Sequence, residues 1–186
     1  MVENDRPISL NSVVCKIFKS AIKSDLVNHL AVNNLITCDQ HGFMAKRSTC
    51  TNLLESLNHW TLTLKNCHYT RVAYIDFARA FDSVCHSKLI HKLSLLGISG
   101  SLLSVLTSYL SHRTQQVKID GTLSKTVNIT SGVPQGSVLG PILFVLYIND
   151  LGDIFGDSVK SKYFADDAKL YSEIKSNADL ENFKKI

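Results

Sequence analysis

Two short runs of alternating apolar residues, Val159–Phe164 and Ala168–Ile174, meet at a pair of adjacent aspartates, Asp166 and Asp167. Alternation over this length marks a half-buried strand, and two such runs with so little between them leave room only for a tight antiparallel hairpin. A third strand-like run, Arg71–Ile75, ends on another carboxylate, Asp76. If the three strands share a sheet, three carboxylates gather at neighbouring strand ends, a donor set suited to hard divalent cations. Taken singly, each has an ordinary meaning. Asp is common in hairpin turns because it tolerates left-handed backbone and bonds its own main chain. Asp76 ends a strand, and Asp82 is placed to N-cap a helix over Ser83–Leu96.

Helical periodicity frames these strands. From Ser12 to about Leu30 the residues Val13, Val14, Ile17, Phe18, Ala21, Ile22, Leu26 and Leu30 recur at intervals of three and four, with Ser12 as the N-cap. A second helix runs from Thr49 through Leu53, Leu54, Leu57, Trp60 and Leu64, and its apolar stripe is expected in the core. Further helices are expected over Ser87–Leu96 and Ser101–Leu110, punctuated by Gly97 and Gly100. Gln115–Ile119 and Leu123–Thr130 flank Asp120-Gly121, a two-residue hairpin signal. Gly132–Gly136 is a loop, Val138–Leu151 a buried helix that tolerates Pro141 in its first turn, and a last helix starts near Asn177 or Asp179. This order predicts an α+β fold, an antiparallel sheet backed by helices on one face.

With 186 residues and 45% hydrophobic content the chain can bury a substantial core. A net charge of +4 suits a polyanionic partner but also many ordinary enzymes. The five cysteines (Cys15, Cys38, Cys50, Cys67, Cys85) form no CxxC pair and no zinc spacing, so neither a disulfide framework nor a structural zinc is expected. The longest apolar stretch, Val138–Ile148, is too short to span a bilayer, and no targeting signal is visible. The expectation is a soluble intracellular protein, nuclear or cytoplasmic.

Three segments then line up. Ala73-Tyr74-Ile75-Asp76-Phe77-Ala78-Arg79-Ala80-Phe81-Asp82, Ser131-Gly132-Val133-Pro134-Gln135-Gly136-Ser137-Val138-Leu139-Gly140-Pro141 and Phe164-Ala165-Asp166-Asp167 resemble, in this order, the three palm motifs of reverse transcriptases. The resemblance is to those of non-LTR retrotransposons of the LINE or jockey type. Arg6-Pro7-Ile8-Ser9-Leu10 and Gln40-His41-Gly42-Phe43 through Lys46-Arg47-Ser48-Thr49 are similar to that family's fingers motifs.

The resemblance implies a polymerase palm-and-fingers fold, with residues 1–70 fingers-like and helical and 71–186 a palm that ends before any thumb. It implies RNA-directed DNA synthesis: transfer of dNMP to a primer 3′-hydroxyl with release of pyrophosphate. Two Mg²⁺ ions, or Mn²⁺, are the implied cofactors; an RNA template, a DNA primer and dNTPs are the implied partners, with no membrane. A thumb and an endonuclease are expected in the parent element.

Carried over by position, Asp76, Asp166 and Asp167 are metal ligands and catalytic, joined by the Phe77 carbonyl. Arg47, Lys46, Arg79, Ala80, Phe81 and Gln135 fall at nucleotide-binding positions, and Pro134, Gly136, Phe164 and Ala165 at template or primer positions. Phe81 is either the ring that excludes a 2′-hydroxyl or a core residue, and Arg47 either a triphosphate clamp or part of a solvated basic loop. Arg79 departs from a position that is frequently Lys in the family, with the charge kept. The alternative function is an inactive remnant that retains at most nucleic-acid binding. An RNA-templated RNA polymerase is a third class, and Phe81 argues against it.

Overall fold

In the computed structural model residues 9 and 11–185 are described, so Arg6, Pro7, Ile8 and Leu10 of the first upstream motif lie outside the described residues. In chain order the elements begin with α1 (Val13–Val32), α2 (Thr49–Lys65), β1 (Tyr69–Asp76), α3 (His86–Leu95), α4 (Gly100–Leu110), β2 (Thr114–Gln115) and β3 (Lys118–Ile119). They continue with β4 (Thr122–Leu123), β5 (Val127–Asn128), α5 (Gly140–Tyr147), a 3₁₀ turn (Leu151–Phe155), β6 (Lys160–Phe164), β7 (Asp167–Ile174) and α6 (Asn177–Phe183). The chain forms two compact units, one of Met1–Leu35 with Arg79–Tyr147 and one of Ile36–Ala78 with Ile148–Ile186.

The second unit is built on the expected antiparallel sheet, in the order β1-β7-β6. The β1–β7 ladder runs without a bulge from Tyr69↔Ile174 to Asp76↔Asp167. The β6–β7 hairpin closes with Phe164↔Asp167, so its two turn residues are Ala165 and Asp166. The turn therefore sits one residue earlier than Asp166-Asp167, and Asp167 is the first rung of β7. The reason is the cross-sheet pairing: only this register sets Ala168 and Leu170 on the buried face, at 3% and 1% exposure.

Helix α2 starts with a capping box, in which Ser48 Oγ accepts from Thr51 N (3.2 Å) and Thr51 Oγ1 accepts from Ser48 N (2.9 Å). Its buried face is the opposite of the one expected. Asn52, Ser56 and Thr63 are buried, whereas Leu53, Leu54, Leu57 and Leu64 are 48%, 59%, 43% and 66% exposed. The sheet beneath explains the inversion. It presents Lys162, Lys169 and Tyr171, and buried polar groups require partners. Lys169 Nζ donates to Asn52 Oδ1 (3.1 Å) and Ser56 Oγ (3.0 Å), and His59 Nδ1 lies 2.6 Å from the Tyr171 hydroxyl. Trp60 meets the Tyr171 ring edge-on and carries Lys169 over its own face.

Lys162 is 6% exposed and donates to Asp39 Oδ1 (2.8 Å) and Glu55 Oε2 (2.6 Å). Burial opposes its charge, but the bonds to Asp39 and Glu55 outweigh burial and hold the ammonium above the ordinary lysine value. The same hydrogen bond holds the Glu55 carboxyl below its ordinary value. Burial alone pushes Lys169 down, with Lys162 adding to the effect.

In the first unit α1 buries Leu26 and Leu30 fully, His29 Nε2 lies 2.9 Å from Leu96 O and Lys19 sits over the Tyr109 ring, while Val13, Val14, Ile17 and Phe18 stand exposed. Ser12 caps it as expected, accepting from Cys15 N. α3 buries Leu89 and Leu93, and α4 buries Leu106 and Leu110. α5 is apolar all round and buried along almost its whole length, as that composition requires. It is shorter than Val138–Leu151 because the polar pair Asn149-Asp150 ends the apolar run, with Asn149 Oδ1 accepting from Thr37 N (2.9 Å). Lys92 Nζ donates to Tyr147 O (2.6 Å), a cation on the carbonyl end of α5.

The Asp120-Gly121 hairpin is present, with both residues at positive φ (48° and 84°). Its ladder is broken into two short pieces, β3–β4 and β2–β5, where Ser124 bonds Val117 in both directions. Among the described residues no helix is long and apolar enough to cross a membrane.

The Lys162 seat generates a pH prediction. Glu55, with its pKa lowered by folding, contributes stability that is present above about pH 4.3 and is lost as pH falls through the folded value. Lys162, with its pKa raised, contributes stability that is present below about pH 10.4 and is lost as pH rises through the folded value. Lys162→Met is expected to cost about 1–3 kcal/mol at pH 7, below the range for a fully enclosed pair because Glu55 is half exposed. It should also flatten both limbs of the profile. Urea titrations of wild type and variant from about pH 2 to about pH 12 check this, and parallel profiles would contradict it.

Candidate active site

The carboxylates lie in the second unit, at the end of the sheet where the chain leaves β1. Asp76 and Asp167 are direct cross-strand partners, so their side chains project from the same sheet face, and Asp166 adjoins them in the turn. Asp76 and Asp167 are exposed and Asp166 half-buried. Among the described residues no side-chain hydrogen bond or ion pair engages any of the three. Nor do any three His, Cys, Asp or Glu side chains among them lie together closely enough to hold a metal ion. The backbone makes Asp76 and Asp167 neighbours across the ladder, with Asp166 next to Asp167 in the chain. The set is all oxygen and has no lysine or arginine neutralising it, which fits a hard divalent cation. The Phe77 carbonyl follows Asp76 directly in the chain.

Phe164 and Ala165 lead into the turn. Ala165 is 7% exposed and holds φ at 57°, a left-handed conformation uncommon for a residue with a Cβ. The loop Asp39–Gly42 lies against it, and Gln40 Oε1 accepts from Ala165 N (3.1 Å). Gln40 appears in the sequence only as part of a motif; its burial and its bond to the turn are tertiary facts. Arg47 turns its guanidinium onto backbone, donating to the carbonyls of Cys38 and Gln40. Lys46 beside it is exposed.

The other candidate residues belong to the first unit. Phe81 stacks on Phe144 of α5, with ring centroids 4.4 Å apart and planes at 17°. Ala80 is buried, and Arg79 is exposed at φ 53°. The loop after β5 is tied to this turn along its length: Gly132 N donates to Val84 O and Val133 N to Phe81 O, both at 2.8 Å. Ser131 Oγ donates to Asp82 O (2.9 Å), and His86 Nε2 lies 2.8 Å from Gly132 O.

Asp82 is not the expected helix cap, because α3 begins four residues later behind Cys85. Its carboxylate instead accepts from Gln135 Nε2 (3.0 Å), which leaves the Gln135 Oε1 as the acceptor presented outward. Pro134 is buried and its carbonyl accepts from Ser137 Oγ (2.7 Å). Ser137 Oγ accepts in turn from Gly140 N (3.0 Å) and from the Tyr109 hydroxyl (2.8 Å). Gly136 is exposed with φ 77°. A groove of about 700 Å³ runs beside this loop, lined among others by Arg79, Asp82, Arg113, Asn128, Ser131 and Gln135. Arg113 carried no sequence signal, since nothing local distinguishes it from any exposed arginine.

Comparison with known proteins agrees with the motif reading. A family model described as reverse transcriptase (RNA-dependent DNA polymerase) matches residues 2–185. The RNA-directed DNA polymerase from mobile element jockey of Drosophila melanogaster is 32% identical over 181 residues, covering 94% of this chain and 20% of the relative. Its counterpart from Drosophila funebris is 31% identical over 150 residues, covering 81% of this chain and 16% of the relative. The chain thus spans a fifth or less of these curated relatives. Among solved structures, apo telomerase from Candida tropicalis superposes with a TM-score of 0.68 at 14% identity, over 90% of this chain and 33% of that one. At that identity the likeness speaks for the fold, mixed helices and antiparallel sheet of the palm-and-fingers type.

Gly132 offers a direct test of the loop. A Cβ there would stand 2.9 Å from Asp82 Cα and O, at a φ of +88°. Gly132→Ala is expected to destabilise the chain by about 1–3 kcal/mol, whereas Gly121→Ala, with open space around it, carries only the backbone term. Equal urea midpoints for the two variants would show that the loop does not approach Asp82 so closely.

Proposed function

This chain belongs to the reverse transcriptase (RNA-dependent DNA polymerase) family, and on that footing we propose that it is the fingers and palm of an RNA-directed DNA polymerase. Residues 1–70 act as the fingers-like part and 71–186 as the palm. The observation that carries this reading is the Asp76↔Asp167 rung with Asp166 beside it, three carboxylates that the described structure leaves without a counter-charge.

The reaction joins the primer 3′-oxygen to the α-phosphorus of a dNTP and breaks the bond to the bridging oxygen. Pyrophosphate leaves and the hydroxyl proton is lost. Asp76, Asp166 and Asp167, with the Phe77 carbonyl, would hold the divalent cations, Mg²⁺ or Mn²⁺. Two such ions, when bound, neutralise the charge that develops on the attacking and leaving oxygens. The carboxylates keep the site anionic and oxygen-lined.

Phe81 supplies shape: its ring, fixed on Phe144, clashes with a 2′-hydroxyl and so selects dNTPs over NTPs. Gln135, its amide nitrogen held by Asp82, offers its carbonyl oxygen to a hydroxyl or amine of the nucleotide. Lys46, Arg47 and Arg79 are assigned to the triphosphate by motif position; Lys46 and Arg79 are exposed, and Arg47 also donates to the Cys38 and Gln40 carbonyls. Pro134, Gly136, Phe164 and Ala165 shape the surface for an RNA template and DNA primer, which implies action in the nucleus or cytoplasm.

Incorporation of dTTP on a primed RNA template, with Mg²⁺ or Mn²⁺, tests the reading. Asp76→Ala and Asp166→Ala are each expected to lower it about a thousandfold, the scale of losing several kcal/mol of charge stabilisation. Phe81→Ala is expected to raise NTP use relative to dNTP use; an unchanged ratio removes the gate. The competing reading is a chain that binds nucleic acid without catalysing transfer. Salt-sensitive retention of primer–template on filters with no carboxylate-dependent incorporation would favour it.

A further inference from the structure

We propose that Gln40 is a positioning residue for the catalytic turn: from a buried seat it orients the peptide that enters Ala165 and so sets where Asp166 and Asp167 stand. The functional consequence rests on the metal-binding reading of those carboxylates; the positioning itself rests on geometry.

Gln40 is 1% exposed, and its Oε1 accepts two backbone N–H groups, from Gly42 (2.7 Å) and from Ala165 (3.1 Å). The second bond answers a need created by the hairpin. Phe164 and Asp167 form the last rung, so the Ala165 amide lies beyond the ladder, and a buried amide without an acceptor is costly. The acceptor for the Ala165 amide is the Gln40 side chain.

The loop carrying Gln40 is itself fastened to β6. Gln40 pairs with Tyr163 in a parallel bridge, Tyr163 N donates to Asp39 O and His41 N donates to Tyr163 O, both at 2.9 Å. Asn52 Nδ2 reaches the same Tyr163 carbonyl (3.1 Å), and Arg47 grips the loop from its other side. Gly42 closes the arrangement. A Cβ on it would fall 2.1 Å from Ala165 N, so main chain meets main chain with no side chain between. The left-handed Ala165 is thus held at its amide both by an acceptor and by the close approach of the Gly42 backbone. Such over-determination is what maintains a sparsely populated backbone conformation.

Three variants separate positioning from mere packing. Gln40→Met keeps the volume and removes the acceptor, Gln40→Asn keeps the amide but falls one methylene short, and Gln40→Glu keeps an oxygen at the same reach. Two readouts are taken on the full chain: amide exchange at Ala165, and Mn²⁺ affinity by electron paramagnetic resonance with Asp166→Ala as the blank. For Met and Asn the Ala165 amide should exchange about tenfold faster while Leu170 and Tyr171 keep wild-type protection. Mn²⁺ should bind about tenfold more weakly, the usual scale for losing a group that orients a ligand. Gln40→Glu should restore both to near wild type.

Unchanged Mn²⁺ affinity in Met and Asn, or loss in Glu equal to theirs, overturns the proposal. So does unfolding of both Met and Asn by circular dichroism, which would make Gln40 purely structural. If wild type shows no Asp166-dependent Mn²⁺ binding, the metal reading fails, and the positioning of the turn stands or falls on the Ala165 amide alone.

Discussion

The ladder between β1 and β7 is the constraint on which the second unit depends. Side chains alternate with a period of two, so a slip of one residue would exchange the two faces of the sheet at every position. In the observed register Asp76 faces Asp167 and, further along, Tyr74 faces Lys169 and Val72 faces Tyr171. The same register sets Lys162 opposite Lys169 across β6 and β7. Two like charges directly opposite are unfavourable, and the pair persists because Asp39 and Glu55 neutralise Lys162 while Asn52 and Ser56 receive Lys169. The helix seat and the carboxylate corner therefore both depend on the register of β7, one through its ladder with β6 and the other through its ladder with β1.

In the first unit the long glycine-containing loop has a comparable logic, spread over residues that look interchangeable in sequence. Gly132 lets the loop backbone lie against Asp82, Gly140 lets the start of α5 lie against the Pro134 carbonyl, and Ser137 joins three partners at once. Gln135 acquires a defined amide orientation only because Asp82 is where this packing puts it. Phe81 is rigid for a related reason, since its stacking partner Phe144 sits on a helix with no solvent-facing side.

Local signals were legible wherever a residue's chemistry acts on its own backbone. Ser12 capping α1, Asp120-Gly121 turning a hairpin and the pairing of β6 with β7 all appear as the sequence predicts. The half-buried alternation does not, since Ser161, Lys162 and Tyr163 and again Leu170, Tyr171 and Ser172 are buried in succession. What periodicity does not reveal is which stripe of a helix is buried. In α2 the leucines and the polar residues Asn52, Ser56 and Thr63 repeat at the same helical spacing, and only the sheet opposite decides between them. The same limit explains Asp82, which has the composition of a cap but is claimed by an amide 53 residues away. Gln40 is bound to an amide 125 residues away. The three aspartates proposed for catalysis were legible through the order of their motifs, whereas their cross-strand pairing and their turn position came only with the register.

The polar seat of α2 bears on how the unit responds to heat. Unfolding raises heat capacity through the apolar surface it exposes and lowers it through the polar surface. A helix that hides asparagine, serine and threonine while leaving its leucines in water adds little to the first term and more to the second. Its docking free energy therefore curves weakly with temperature, so the support beneath the aspartate turn holds over a broad thermal range where a leucine-seated helix would loosen on cooling.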